Sequence, residues 1–140
     1  IFQKDGGVSG YPAWGWQIAE SSPTAPSFLS AYGGGSGEVN SAVNYTTDAN
    51  MALDEWNCYT TTLGAQDGGS YPVKLYFNGE LNASGTVANE VMATEDDIKI
   101  AIGDAREFKG KIPIIRVYNR VLSAVEIKQN YNATKNRFGL

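Results

Sequence analysis

The sequence contains no histidine and one cysteine, Cys58. Without histidine it lacks the side chain that most often serves as a general base near neutral pH, and the most frequent ligand of transition metals. One thiol can form neither an internal disulfide nor a multi-thiolate zinc site, which argues against the disulfide-dense extracellular scaffolds. Within the Thr-rich run 56–63 that thiol reads as a small buried hydrophobe. No apolar run approaches the roughly 20 residues of a bilayer-spanning helix, so membrane insertion is not expected. Positive charge is also sparse: 11 Lys and Arg stand against 15 Asp and Glu, a formal charge of −4. The basic residues are scattered, apart from a loose C-terminal group of Lys128, Lys135 and Arg137. Phosphate recognition needs a basic face, so a nucleic-acid partner is not expected either. No leader is legible, but the sequence begins at Ile1 rather than Met, so that absence says nothing about targeting.

What is present suits one folded domain spanning 1–140. A 42% hydrophobic and 11% aromatic composition can fill a core and argues against disorder. The 16 Gly and 5 Pro predict frequent turns, and so strands rather than long helices. Strands are expected at 14–19, where Trp14, Trp16 and Ile18 share a face, at 28–32, weakly within 38–47, and at 56–63. Val73, Leu75 and Phe77 alternate with Lys74 and Tyr76, and Asn78-Gly79 then supplies the positive φ angles of a type I′ hairpin. Ile98, Ile100 and Ile102 predict a strand ending at Gly103. The run 112–118 is apolar on both faces, which predicts a strand covered on both sides, with Pro113 placing it at an edge or beside a bulge. Loops are expected at 5–12, 21–26 and 33–37, and turns at 48–50 and 67–70.

One segment is helical by its local signals. Ser123 and Glu126 have capping-box spacing, and Leu122 and Ile127 occupy the two staple positions. The helix is expected from 123 to about 132–135, with Ile127 and Tyr131 turned inward to cover one end of the fold.

The second half also carries an ordered set of motifs. Trp56 precedes Leu75-Tyr76-Phe77-Asn78-Gly79, then come Ile102-Gly103, Phe108-Lys109-Gly110-Lys111-Ile112, Tyr118-Asn119-Arg120-Val121-Leu122-Ser123 and Glu126-Ile127. This order resembles the laminin G-like branch of the concanavalin A-like lectin/glucanase superfamily. The resemblance is close from about 56 to 140 and looser before that. It implies an all-β, concanavalin A-like antiparallel β-sandwich (jelly roll) with a short C-terminal helix. It also implies that one or two strands precede the segment 1–19, since a sandwich without them would expose an unpaired edge. Pro113 departs from the family pattern. The C-terminal stretch 129–140 is similar to the ends of such domains in structural proteins of tailed bacteriophages. That similarity implies a virion-surface module partnered by other virion proteins or by copies of itself, with Ile114, Ile115 and Val117 as candidate self-association residues. The alternative is a bacterial cell-surface lectin or adhesin module.

Candidate chemistry is that of binding. A glycosidase on this fold needs carboxylates flanking a sugar bond, roughly 5–5.5 Å apart for retention. The family's glucanases carry them as Glu-x-Asp-x-x-Glu on one strand. This sequence has no such spacing, and its adjacent acids Asp54-Glu55 and Glu95-Asp96-Asp97 would face opposite ways on a strand, so an enzyme is not expected. Sugar recognition stacks aromatic faces on apolar C–H surfaces, and Tyr11, Trp14 and Tyr32, in or beside Gly/Pro-rich loops, are the candidates for cell-surface glycans. Loop packing is the competing reading for Tyr11 and Trp14, while Trp16 and Trp56 read as core. Calcium is the metal the resemblance implies, with Asp67 and Asp104 as candidate ligands and Asp96 and Asp97 as further loop acids. The competing reading takes these as turn formers and solvated charges. The three Asn-x-Ser/Thr sequons, at Asn44, Asn82 and Asn132, are close to chance for this composition.

Overall fold

A computed structural model describes residues 55–86, 100 and 110–140 in full, and the backbone pairing of 2–8, 11–20, 26–30, 43–45, 87, 98–100, 102–103 and 106–107. The strands are β1 (Phe2–Val8), β2 (Tyr11–Glu20), β3 (Pro26–Ser30), β4 (Val43–Tyr45), β5 (Tyr59–Leu63), β6 (Tyr71–Phe77), β7 (Glu80–Val87), β8 (Ile98–Ile100), β9 (Ile102–Gly103) and β10 (Arg106–Glu107). One helix, α1 (Ala124–Phe138), follows them. All described pairings are antiparallel and form a five-stranded sheet in the order β4-β3-β2-β1-β8, a three-stranded sheet β5-β6-β7 and the pair β10-β9. The two larger sheets meet where β4 lies near β7 and β6.

The N-terminal strands are longer than the alternation of side chains predicts. Residues 5–8 and 11–12, expected in a loop, lie in strands: β1 runs to Val8, which pairs with Tyr11. Register shifts between Lys4 and Asp5 and between Asp5 and Val8 absorb Ala13 and the Gly6-Gly7 pair as bulges. A bulge breaks the period of two without ending the ladder, so the strand continues where its pattern stops. β3 begins at Pro26 and ends at Ser30, two residues ahead of the predicted 28–32, and first-residue proline is compatible with a strand. The predicted strand 98–102 is divided between two sheets: β8 pairs with β1, and β9 pairs with β10.

The three-stranded sheet holds the described core. Val73 and Leu75 are fully buried, packed with Tyr59, Leu63, Tyr71, Phe77 and Ala83. Full burial of each such side chain stabilises the fold by about 1.5–3 kcal/mol. The opposite face is covered as well. Tyr76 is buried with Leu122 and Ile127, while Lys74 on the same face is exposed. β5 starts at Tyr59 rather than at 56, because Trp56, Asn57 and Cys58 lead into the ladder without joining it.

The predicted strand at 112–118 is the largest departure. The segment 111–118 forms no ladder: Ile112 and Ile114 are half-buried between the exposed Lys111, Pro113 and Ile115, and the alternation ends there, since Arg116, Val117 and Tyr118 are exposed too. Pro113 has no N–H to donate, and no described strand lies in register with the segment. Composition prepared it for a sheet, and pairing did not follow.

Candidate functional site

The best-defined constellation lies where α1 crosses the β6–β7 hairpin. Asn78 (φ 48°) and Gly79 (φ 79°) make the two-residue turn, and Phe77 pairs with Glu80 across it. Asn78 also locks the turn to the lead-in of β5. Its backbone N–H donates to the Cys58 carbonyl at 2.8 Å, and its Oδ1 accepts from the Cys58 N–H at 2.9 Å. A second two-residue turn, Gly68-Gly69 (φ 57° and 86°), is closed by reciprocal bonds between Asp67 and Ser70 at 2.7 and 3.0 Å.

α1 is held at both ends by the groups its termini leave unpaired. Ser123 Oγ accepts from the Glu126 N–H at 3.3 Å, and Glu126 Oε2 accepts from the Ser123 N–H at 2.8 Å, completing the capping box. Arg120 grips the same carboxylate through two nitrogens, at 2.6 and 3.1 Å. Hydrogen bonding from Arg120 first, then from the Ser123 backbone and hydroxyl, lowers the Glu126 pKa to about 2. At the other end Gly139 adopts a left-handed conformation (φ 73°) and its N–H returns to the Lys135 carbonyl. That cap, rather than side-chain periodicity, carries the helix to Phe138, beyond the predicted 132–135. Ile127 is turned inward and buried, and Tyr131 is half-buried, as their spacing predicts.

Across the hairpin, Lys128 pairs with Glu80 and lies 5.2 Å from the centre of the Tyr131 ring, with Lys135 at 5.7 Å from the same ring. Trp56 packs on Phe138 with ring centres 5.3 Å apart at a tilt of 50°, and Arg137 lies 5.7 Å from the Phe138 ring. These aromatic–cation contacts are absent from the sequence reading, which took the basic residues as a loose group. The signal for one of them was the three- and four-residue spacing of Lys128, Tyr131 and Lys135 on one helix face. Trp56, expected in the core, is half-buried and belongs to neither buried cluster of the described residues. Cys58 is half-buried too, and desolvation raises its pKa against the opposing effects of Thr60 and the Arg116 charge.

The sequence-predicted binding residues fall in different places. Tyr11 stands on β2, paired with Val8, rather than in a loop, and Trp14 lies within the same strand, paired with Lys4, where its expected strand began. Tyr32 lies outside the described residues, as do Asp104, Asp96 and Asp97. Asp67 is exposed at the Gly68-Gly69 turn, held by its backbone. Among the described residues no three Cys, Asp or Glu side chains gather as a metal site. Ile114 is half-buried, and Ile115 and Val117 are 39% and 63% exposed in the unpaired segment. Among the described residues no helix is long and apolar enough to cross a membrane.

Antiparallel sheets joined by tight hairpins and closed by one capped C-terminal helix define an all-antiparallel β domain whose described polar groups hold backbone and helix in place. A family model of the laminin G type, from the concanavalin A-like lectin/glucanases superfamily, matches residues 1–128, and the chain belongs to that superfamily. Neither the curated proteins nor the solved structures provide a significant match.

Proposed function

We propose that this protein is a non-enzymatic binding and display module of a virion surface, a decoration or tail/neck domain whose larger sheets pack face to face as a sandwich and which contacts cell-surface glycans. Membership of a superfamily of lectins and glucanases supports a carbohydrate-binding or adhesive role. The similarity of 129–140 to phage structural proteins supports the virion setting. Lack of histidine and of the Glu-x-Asp-x-x-Glu spacing favours binding over hydrolysis.

The observation that carries the glycan contact is the β1–β2 register. Lys4 pairs with Trp14 and Asp5 with Pro12, so Ala13 is an extra residue in β2. One extra residue reverses the strand's alternation and brings Tyr11 and Trp14 into the same phase of the ladder. Two aromatic positions in one phase suit the stacked faces of adjacent sugar rings. Calcium held by loop carboxylates such as Asp67 and Asp104 is the cofactor of the second reading, a bacterial cell-surface lectin or adhesin, in which ligand binding requires the ion.

A glycan array probed with the purified domain, in calcium and again in EDTA, tests both readings. Glycan binding that survives EDTA and is lost in Trp14→Ala is the expected result. Binding abolished by EDTA would transfer the assignment to the calcium-dependent lectin. No binding in either buffer, by a folded protein, would remove the glycan contact and leave display alone.

A further inference from the structure

Asn78-Gly79 is the one Asn-Gly pair in the sequence. Asparagine is among the thermolabile residues, and a following glycine, with no side chain to shield its nitrogen, makes it most open to attack by its own backbone. The Gly79 nitrogen, after giving its proton to a base, adds to the Asn78 carboxamide carbon. Ammonia leaves, and a cyclic imide joins the two residues. Water then opens the imide at either carbonyl, giving aspartate or isoaspartate, in which the main chain runs through the side-chain carbon. Water and hydroxide are the only co-reactants.

The fold withholds both reacting groups. Asn78 is tied twice to Cys58, its N–H donating to the carbonyl at 2.8 Å and its Oδ1 accepting from the N–H at 2.9 Å. Positive φ at Asn78 and Gly79 is the geometry of the two-residue hairpin turn, and ring closure turns the peptide between them out of it. Gly79 is buried under α1, with Tyr131 and Lys128 so near that a Cβ would lie 2.9 and 3.0 Å from them. A base in solvent reaches the Gly79 N–H only when α1 lifts. The two products differ in what the turn tolerates. Aspartate keeps an oxygen for the Cys58 N–H. Isoaspartate adds a carbon to the main chain of a turn that pairs Phe77 with Glu80, the partner of Lys128, at a place where α1 leaves no room. We infer that Asn78 is a deamidation site gated by α1: shut while the helix is docked, open when it lifts, and barred from re-docking once isoaspartate has formed. Each opening then carries a risk of irreversible loss, a rate that equilibrium stability does not describe. This inference is independent of the glycan contact at β2.

The test is incubation of the whole chain in mildly alkaline buffer, with peptide mass spectrometry reading the mass gain at residue 78 and separating aspartate from isoaspartate. In native buffer the gain should appear at least roughly tenfold more slowly than in guanidinium, since only the open fraction reacts. Ile127→Ala, which loosens the docked helix, should raise the native rate while the far-ultraviolet signal shows the chain folded. Ser123→Ala, at the cap, should give a smaller rise should Ile127→Ala fail to fold. Equal rates in native buffer and guanidinium would overturn the inference, as would a native rate that neither variant raises. Trypsin supplies the second reading, since a docked helix resists cleavage. After ageing in guanidinium and refolding, the isoaspartate fraction should be cut after Lys128 and Lys135 faster than Asn78→Asp. Equal resistance of the two would overturn the loss of docking.

Discussion

Gly79 meets two demands at once. Its φ of 79° lies where L side chains are strained, and a Cβ there would come within 2.9 Å of Tyr131 Cβ and 3.0 Å of Lys128 Cδ. Gly68 has a similar φ of 57°, but nothing lies within 4 Å of its Cβ position. Gly68→Ala should therefore cost only the left-handed conformation, about 1–2 kcal/mol. Gly79→Ala should cost more, because α1 must also shift, and thermal denaturation of the two variants should rank them in that order. Glu126 makes the second residue-scale prediction. Its pKa is lowered in the folded state from 4.5 to about 2, so its contribution to stability is fully present above pH 4.5 and is lost as pH falls through 2. The carboxylate is solvent-exposed, which keeps the effect small. Denaturant titrations between pH 5 and 2 should show this loss in the parent and a flatter profile in Glu126→Gln.

At the scale of elements, α1 depends on its caps and its one buried stripe. Leu122 and Ile127, at the staple positions, are buried together with Tyr76, so the same contact fixes the helix start and covers β6. Ile127→Ala should lower unfolding free energy by about 2–5 kcal/mol through the cavity it leaves. Ser123→Ala should lower it by about 0.5–2 kcal/mol, through the cap alone. Urea denaturation of the pair measures the difference. The helix was legible because its signals are local: a cap, an acid three residues on and a staple. The Asn78-Gly79 hairpin was legible for the same reason. The run 112–118 was misread because its composition reports burial potential, whereas a strand exists only when a second backbone lies in register. Tyr11 was placed in a loop, and the strand was started only at Trp14, because the bulges at Ala13 and Gly6-Gly7 hide the alternation.

At the scale of the whole molecule, the packing of Trp56 on Phe138 ties the end of α1 to the lead-in of β5. Together with the Lys128–Glu80 pair and the buried Ile127, it joins helix and sheet into one unit. Urea unfolding followed by tryptophan fluorescence and by far-ultraviolet helical signal should therefore give a single shared midpoint. Two separated midpoints would mean that α1 docks on an independently folded sheet. The candidate glycan contact also belongs to this scale, since it joins residues of β2 through a register that involves β1.

The sequence by itself determined the Asn78-Gly79 and 67–70 turns, the helix and its N-terminal cap, the buried Val73–Leu75 stripe and membership of the concanavalin A-like superfamily, because each is written in short-range spacing or ordered motifs. The tertiary structure alone decided that Tyr76 is buried beneath α1, that the isoleucine run 98–102 splits between two sheets, and that 111–118 stays unpaired. Those outcomes rest on contacts between segments far apart in the chain, where side-chain pattern sets what can be buried and backbone register selects the partner.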